Sequence, residues 1–144
     1  MPTNPDLTIF LVDDDIMCLN LYKQFLQQLG YTNVEMFDTG SDCLDSLEEM
    51  HPDVIFLDYN MEEMNGVEVL KKIKSFNPNI IVLFISGQED LQIAVNAMKH
   101  GAVDYLVKSS LNPEKMREVM VKVEGIKPVA QAPVKKSFLK KMFS

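Results

Sequence analysis

Five short apolar runs alternate strictly with five amphipathic stretches, and no other feature of this chain restricts its fold as much. The runs Leu7–Val12, Val54–Leu57 and Ile80–Ile85 are almost continuously Val, Ile, Leu and Phe, while Asn33–Phe37 and Val103–Val107 are more mixed. Short, nearly unbroken apolar runs read as strands buried on both faces, as in a parallel sheet covered by helices. Between the first two runs, Leu19, Tyr22, Phe25, Leu26 and Leu29 recur at three- and four-residue intervals until Gly30, a residue type that closes helices. Four further stretches repeat that spacing: Ser41–Met50 after Gly40, Val67–Phe76 before Asn77-Pro78, Leu91–His100 before Gly101, and Asn112 to about Glu124. Asn112 can cap the last of these, with Pro113 at its first helical position.

Strict alternation of strands and helices implies an α/β fold: a five-stranded parallel sheet, (βα)5, with right-handed crossovers and helices on both faces. The three most apolar runs suit interior positions and the two mixed runs suit the edges. That ranking is compatible with strand order 2-1-3-4-5, which is taken over from flavodoxin-like sheets by analogy. At 144 residues and 47% hydrophobic content the chain suffices for one domain, placed at residues 1–125, followed by a segment 126–144. No run is long enough to span a membrane and the N-terminus lacks a signal-peptide pattern, so a cytoplasmic location is expected. Cys18 and Cys43 fall in helical patterns and are expected as free thiols near the core.

Acidic residues close two of the apolar runs. The first runs into Asp13-Asp14-Asp15 and the third into Asp58. In an open parallel sheet the carboxyl ends of neighbouring strands converge on one crevice, so these acids share a pocket. Their mutual repulsion calls for a cation or a shared proton. Ser86-Gly87 follows the fourth run, Lys108 the fifth, and Asn60 stands two residues past Asp58. This inventory suits phosphoryl chemistry. A carboxylate can act as nucleophile and form an aspartyl phosphate. Magnesium takes one or two carboxylates together with substrate oxygens and water, which fits Asp13, Asp14 and Asp58. Lys108 offers a point charge for a phosphoryl oxygen and Ser86 a hydroxyl donor. An acidic run after a strand is ordinarily a solvated loop; three partners in register with it favour the phosphoryl site.

The chain resembles a response regulator receiver domain of the single-domain, chemotaxis-regulator kind over about Leu7 to Glu124. The likeness rests on four motifs in order: Val12-Asp13-Asp14-Asp15; Leu57-Asp58-Tyr59-Asn60-Met61 with Asn65-Gly66; Ile85-Ser86; and Gly101-Ala102-Val103-Asp104-Tyr105-Leu106-Val107-Lys108. The resemblance implies Asp58 as phosphoacceptor, and Asp13, Asp14, Asp58 and the backbone carbonyl of Asn60 as the Mg2+ site. It implies Ser86 and Lys108 as partners of the bound phosphoryl group and Tyr105 as an aromatic switch. Asn60 and Gln88 sit where the family tunes dephosphorylation. The implied donor is a sensor histidine kinase or a histidine phosphotransfer protein, and the implied output is phosphorylation-dependent contact with a downstream protein target. Chemistry is then confined to self-phosphorylation and autodephosphorylation at Asp58. Tyr105 as an ordinary strand aromatic stands close beside the switch reading.

Three positions depart from the family pattern. Glu62 follows Met61 where proline is usual, Ser109 follows Lys108 where proline is usual, and Gly87 stands in place of alanine. A cis bond before a non-proline residue costs about 2.5 to 4 kcal/mol, so the Lys108–Ser109 bond is expected to be trans. Two rivals remain open: a phosphorylation-independent scaffold, and a magnesium-dependent phosphohydrolase, whose nucleophile would belong on the first strand.

Charge divides the chain. Up to Glu124 there are nine basic and 21 acidic residues, a net −12, whereas five lysines beyond it give +5. So acidic a body repels a phosphate backbone, which argues against direct nucleic-acid binding. Lys127–Pro133 reads as a linker, and Val134–Ser144 as a basic amphipathic tail with Phe138, Leu139, Met142 and Phe143 on one helical face. A partly disordered tail is the leading reading, docking on a protein surface the next, and membrane contact a lesser one.

Overall fold

The computed structural model describes residues 4–130. Five strands, β1 (Ile9–Val12), β2 (Val34–Phe37), β3 (Val54–Asp58), β4 (Ile81–Ser86) and β5 (Asp104–Val107), form one sheet in the order β2-β1-β3-β4-β5, every neighbouring pair parallel. Five helices connect and follow them: α1 (Ile16–Gln28), α2 (Gly40–Met50), α3 (Gly66–Phe76), α4 (Leu91–Lys99) and α5 (Pro113–Ala130). The fold is the expected flavodoxin-like (βα)5 arrangement. No helix among the described residues is long and apolar enough to cross a membrane.

Side chains alternate across a strand, so a strand buried on both sides must be apolar at every position. Ile9, Leu11, Phe56, Leu83 and Ile85 point to one face, where Leu19 and Leu26 of α1 and Met116 and Val123 of α5 cover them. Phe10, Val12, Ile55, Leu57, Val82 and Phe84 point to the other, under Leu47 of α2, Leu70 and Ile73 of α3 and Ala97 of α4. Each such side chain contributes about 1.5 to 3 kcal/mol by leaving water. The two cysteines are free thiols, Cys43 buried and Cys18 partly so.

Helix ends follow local chemistry. The side chains of Asp15, Thr39, Asn65 and Asp90 accept backbone N–H groups from the first turns of α1, α2, α3 and α4, and Asn112 accepts from Lys115 at 2.7 Å at the start of α5. α2 stops at His51, whose φ of 51° is left-handed, and Pro52 cannot prolong it.

Several boundaries differ from the expected ones. β1 begins at Ile9 rather than Leu7, β2 at Val34, β4 at Ile81 and β5 at Asp104, each a residue or two inside the apolar run, because hydrogen-bonded pairing starts later than hydrophobicity does. β3 and β4 instead extend one residue further, through Asp58 and Ser86. α5 continues to Ala130, past Glu124 and into the expected linker. Burial of Met116, Val119, Met120 and Val123 anchors the helix up to Gly125, a weak helix former that α5 nonetheless crosses. The tail 131–144 lies outside the described residues.

Candidate functional site at the carboxyl edge of the sheet

Strand register sets the site. Val12 pairs with Leu57, Asp58 with Ile85, and Ser86 with Val107, so β1, β3, β4 and β5 all end at one edge. The residues at or just past those ends, Asp13, Asp58, Ser86 and Lys108, are thereby gathered. Asp13 and Asp58 are each 1% exposed and Ser86 is fully buried. Asp14 is exposed, yet one carboxylate oxygen from each of Asp13, Asp14 and Asp58 falls within 4.8 Å of the others.

A 3₁₀ turn, Lys108–Ser110, follows β5 and sends the Lys108 side chain back across the ends of β4 and β3. Its Nζ lies 3.1 Å from Asp13 Oδ2 and 3.5 Å from Asp58 Oδ1. No peptide bond among the described residues is cis, so Lys108–Ser109 is trans as expected. Asp13 Oδ1 accepts the Asp15 N–H at 2.9 Å, which orients that carboxylate. The two Asp58 oxygens are buried without a hydrogen-bond partner, and Asp13 Oδ2 has only the Lys108 ammonium beside it. Buried carboxylate oxygens left in this condition are costly, and a divalent cation is the group that satisfies them. The donor set, hard oxygens only, fits Mg2+.

Electrostatics follow from the geometry. Burial, then the charge of Asp13, push Asp58 up to about 7, against the opposing pull of Lys108. Asp13 is likewise raised, burial outweighing the Asp15 N–H and Lys108. Burial pushes the Lys108 ammonium down, but its bond to Asp13 and the charge of Asp58 outweigh this and the net shift is upward. Asp15, exposed at the start of α1, is held low by the Met17 N–H, as suits a capping neighbour rather than a ligand.

The remaining expected residues lie around this centre. Ser86 Oγ accepts the Gln88 N–H at 3.2 Å, and Tyr105 donates its hydroxyl to the Gln88 carbonyl at 2.6 Å. Ser86 and Tyr105 therefore hold opposite sides of the Gln88 residue. Asn60 is exposed on the loop after β3. Gly66 closes that loop tightly: a Cβ there would lie 2.7 Å from the Asp58 carbonyl oxygen and from Phe84 Cε1. Two features escaped sequence reasoning. One is a groove of about 510 Å³ between Tyr59 and the Leu91, Val95 and Lys99 side of α4. The other is a bridge from Glu63 to Ser41, 22 positions apart, for which no local signal exists.

Fold and site together define a doubly wound α/β domain with a cluster of three carboxylates at the carboxyl edge of its sheet. Comparison with known proteins narrows the class. The family model for the response regulator receiver domain matches residues 9–121. Transcriptional regulatory protein ZraR of Escherichia coli K12 is 38% identical over 106 residues, 74% of this chain and 24% of that protein. Regulatory protein LuxO of Vibrio vulnificus YJ016 is 35% identical over 98 residues, 68% of this chain and 21% of that protein. The chain thus spans roughly a quarter or less of the length of these curated relatives. A CheY-like receiver domain protein from Methanospirillum hungatei JF-1 superposes with a TM-score of 0.73 at 29% identity, covering 83% of this chain and 98% of that one. The chain belongs to the response regulator receiver domain family of two-component systems. Phosphorylation and binding of Mg2+ at an acidic pocket are typical of that family, whose members interact with histidine kinases or phosphotransfer proteins.

Proposed function

We propose that this chain is a phosphoryl-accepting switch of two-component signalling or a phosphorelay, with Asp58 as the acceptor. The observation that carries this reading is the pair of buried Asp58 oxygens, free of hydrogen bonds and facing the Lys108 ammonium at 3.5 Å. A carboxylate oxygen of Asp58 attacks the phosphorus of a phosphohistidine; the new O–P bond forms as the N–P bond breaks, and the departing imidazole nitrogen takes up a proton. Asp13, Asp14, Asp58 and the Asn60 backbone carbonyl would hold Mg2+, which when bound supplies positive charge against the phosphoryl oxygens. Lys108 remains beside the product as a second positive charge, and the buried edge excludes water from most of Asp58.

Output follows from the Gln88 clamp. When Ser86 turns its hydroxyl toward a phosphoryl oxygen, the Gln88 N–H loses its acceptor, and the Tyr105 hydroxyl on the Gln88 carbonyl responds. A surface carrying Tyr105 and the exposed Leu91, Val95 and Met98 of α4 then changes, and a downstream protein target reads it by contact. Asn60 and Gln88 are proposed to tune hydrolysis of the aspartyl phosphate. The receiver unit is set at residues 1–125, with α5 carried into the segment 126–144 as far as Ala130. Incubation with acetyl phosphate and Mg2+, read by intact-protein mass, tests the assignment. One added phosphoryl group on the wild type and none on Asp58→Asn is expected; no gain on the wild type, or an equal gain on the variant, refutes it.

A further inference from the structure

The loop between β3 and α3 carries Asn60, and its two ends are firmly held. Tyr59 N–H donates to the Ile85 carbonyl at 2.9 Å, Gly66 N–H donates to the Tyr59 carbonyl at 3.0 Å, and Asn65 caps α3 through the Glu68 N–H at 3.0 Å. Its middle carries Glu62 at the position after Met61 where the family pattern noted above has proline. Among the described residues, the hydrogen bonds of that middle are those of Glu63. Glu63 Oε1 accepts from the Ser41 hydroxyl at 2.6 Å and from the Ser41 backbone N–H at 3.3 Å.

Ser41 lies in the first turn of α2, where N–H groups lack helical partners and a negative charge is favoured. Thr39 satisfies the Asp42 N–H at 3.1 Å from within the helix start, and Glu63 satisfies Ser41 from another element. Gly40 itself is required by α3, since a Cβ there would lie 2.6 Å from Val69 Cγ2, while Met61 and Met64 of the loop are partly buried against the apolar cluster on this face of the sheet. A carboxylate bridge thus pins the loop to α2, and Met61 and Met64 pack it against the core.

We infer that Glu63 is a positioning residue of the phosphoryl site, holding the Asn60 loop in place by its bridge to Ser41. The inference rests on the Mg2+ and Asp58 reading above, and the bridge takes over a restraint that proline at position 62 would otherwise impose through the backbone.

The full chain is compared with Glu63→Ala, Glu63→Gln, Ser41→Ala and the double variant Glu63→Ala/Ser41→Ala. Calorimetric titration with Mg2+ alone should show Glu63→Ala and Ser41→Ala binding about three- to tenfold more weakly, the size of one ordinary intramolecular hydrogen bond. Glu63→Gln keeps an acceptor oxygen and should stay within about twofold of wild type, and the double variant should be no weaker than Glu63→Ala. In metal-free protein the Met61 and Met64 methyl resonances should move toward unfolded values in Glu63→Ala and stay in Glu63→Gln. Unchanged affinity and unchanged methyls in Glu63→Ala would overturn the inference; so would Glu63→Gln behaving as Glu63→Ala, which would reveal a charge effect. Should the wild type bind no Mg2+ or accept no phosphoryl group, the reading of the site fails separately, and the methyl resonances alone decide whether the bridge positions the loop.

Discussion

Asp58→Asn should make the metal-free protein more stable at neutral and alkaline pH. The Asp58 carboxyl is 1% exposed and its pKa is raised from 3.8 to about 7, by burial first and by Asp13 second. Between those two values the folded state keeps a proton that the unfolded chain has already released, so stability falls as pH rises through the window. A gap of about 3 units corresponds to about 4 kcal/mol at 1.36 kcal/mol per unit. Asparagine removes that penalty, but its amide inherits the unpartnered site at a cost of about 1 to 2 kcal/mol. The expected net gain over wild type is therefore about 2 to 3 kcal/mol at pH 8, shrinking toward zero or reversing near pH 4, where the unfolded chain also takes up much of the Asp58 proton. Urea unfolding followed by far-ultraviolet circular dichroism, in chelator at pH 4 to 8, measures this directly. Adding Mg2+ to about a hundred times its dissociation constant should restore about 2.7 kcal/mol to the wild type and less to the variant. A wild-type-minus-variant difference that is flat across pH, or a variant less stable than wild type at pH 8, would refute the electrostatic account.

Other perturbations read different parts of the same edge. Lys108→Ala removes the cation shared by Asp13 and Asp58; with its side chain 27% exposed, the loss in chelator at pH 8 should be about 1 to 3 kcal/mol by urea unfolding, and Mg2+ should recover most of it. Gly66→Ala forces a methyl against the Asp58 carbonyl and Phe84, so destabilisation of about 1 to 3 kcal/mol is expected, with slower labelling of Asp58 by acetyl phosphate. Tyr105→Phe removes the hydroxyl held by the Gln88 carbonyl; hydrogen exchange should quicken over residues 87–90 while acetyl phosphate labels Asp58 at an unchanged rate.

How far the sequence disclosed this arrangement depends on the range of the forces involved. Burial on both faces of the sheet is written into every residue of β1, β3 and β4, so strand number, strand type and the convergence of Asp13, Asp58, Ser86 and Lys108 follow from a one-dimensional pattern. Strand ends were less legible, because Asp58 and Ser86 are polar and look like loop, yet their backbones complete pairs with Ile85 and Val107. The end of α5 is poorly legible for another reason: Gly125 argues locally for a stop, yet the helix anchored by Val119 and Val123 runs on past it to Ala130. Contacts between side chains far apart in sequence left no trace at all. Tyr31 donates its hydroxyl to Glu124, and the same carboxylate accepts the Asn4 N–H at 2.8 Å, tying the N-terminal segment, the end of α1 and α5 together. Glu63 and Ser41 are a second such pair, and each residue alone reads as ordinary surface. Such ties depend on the three-dimensional approach of loops that the apolar pattern fixes only as a whole. A cluster of polar residues on strand ends can therefore be read from sequence, while the side-chain ties around it must be read from structure.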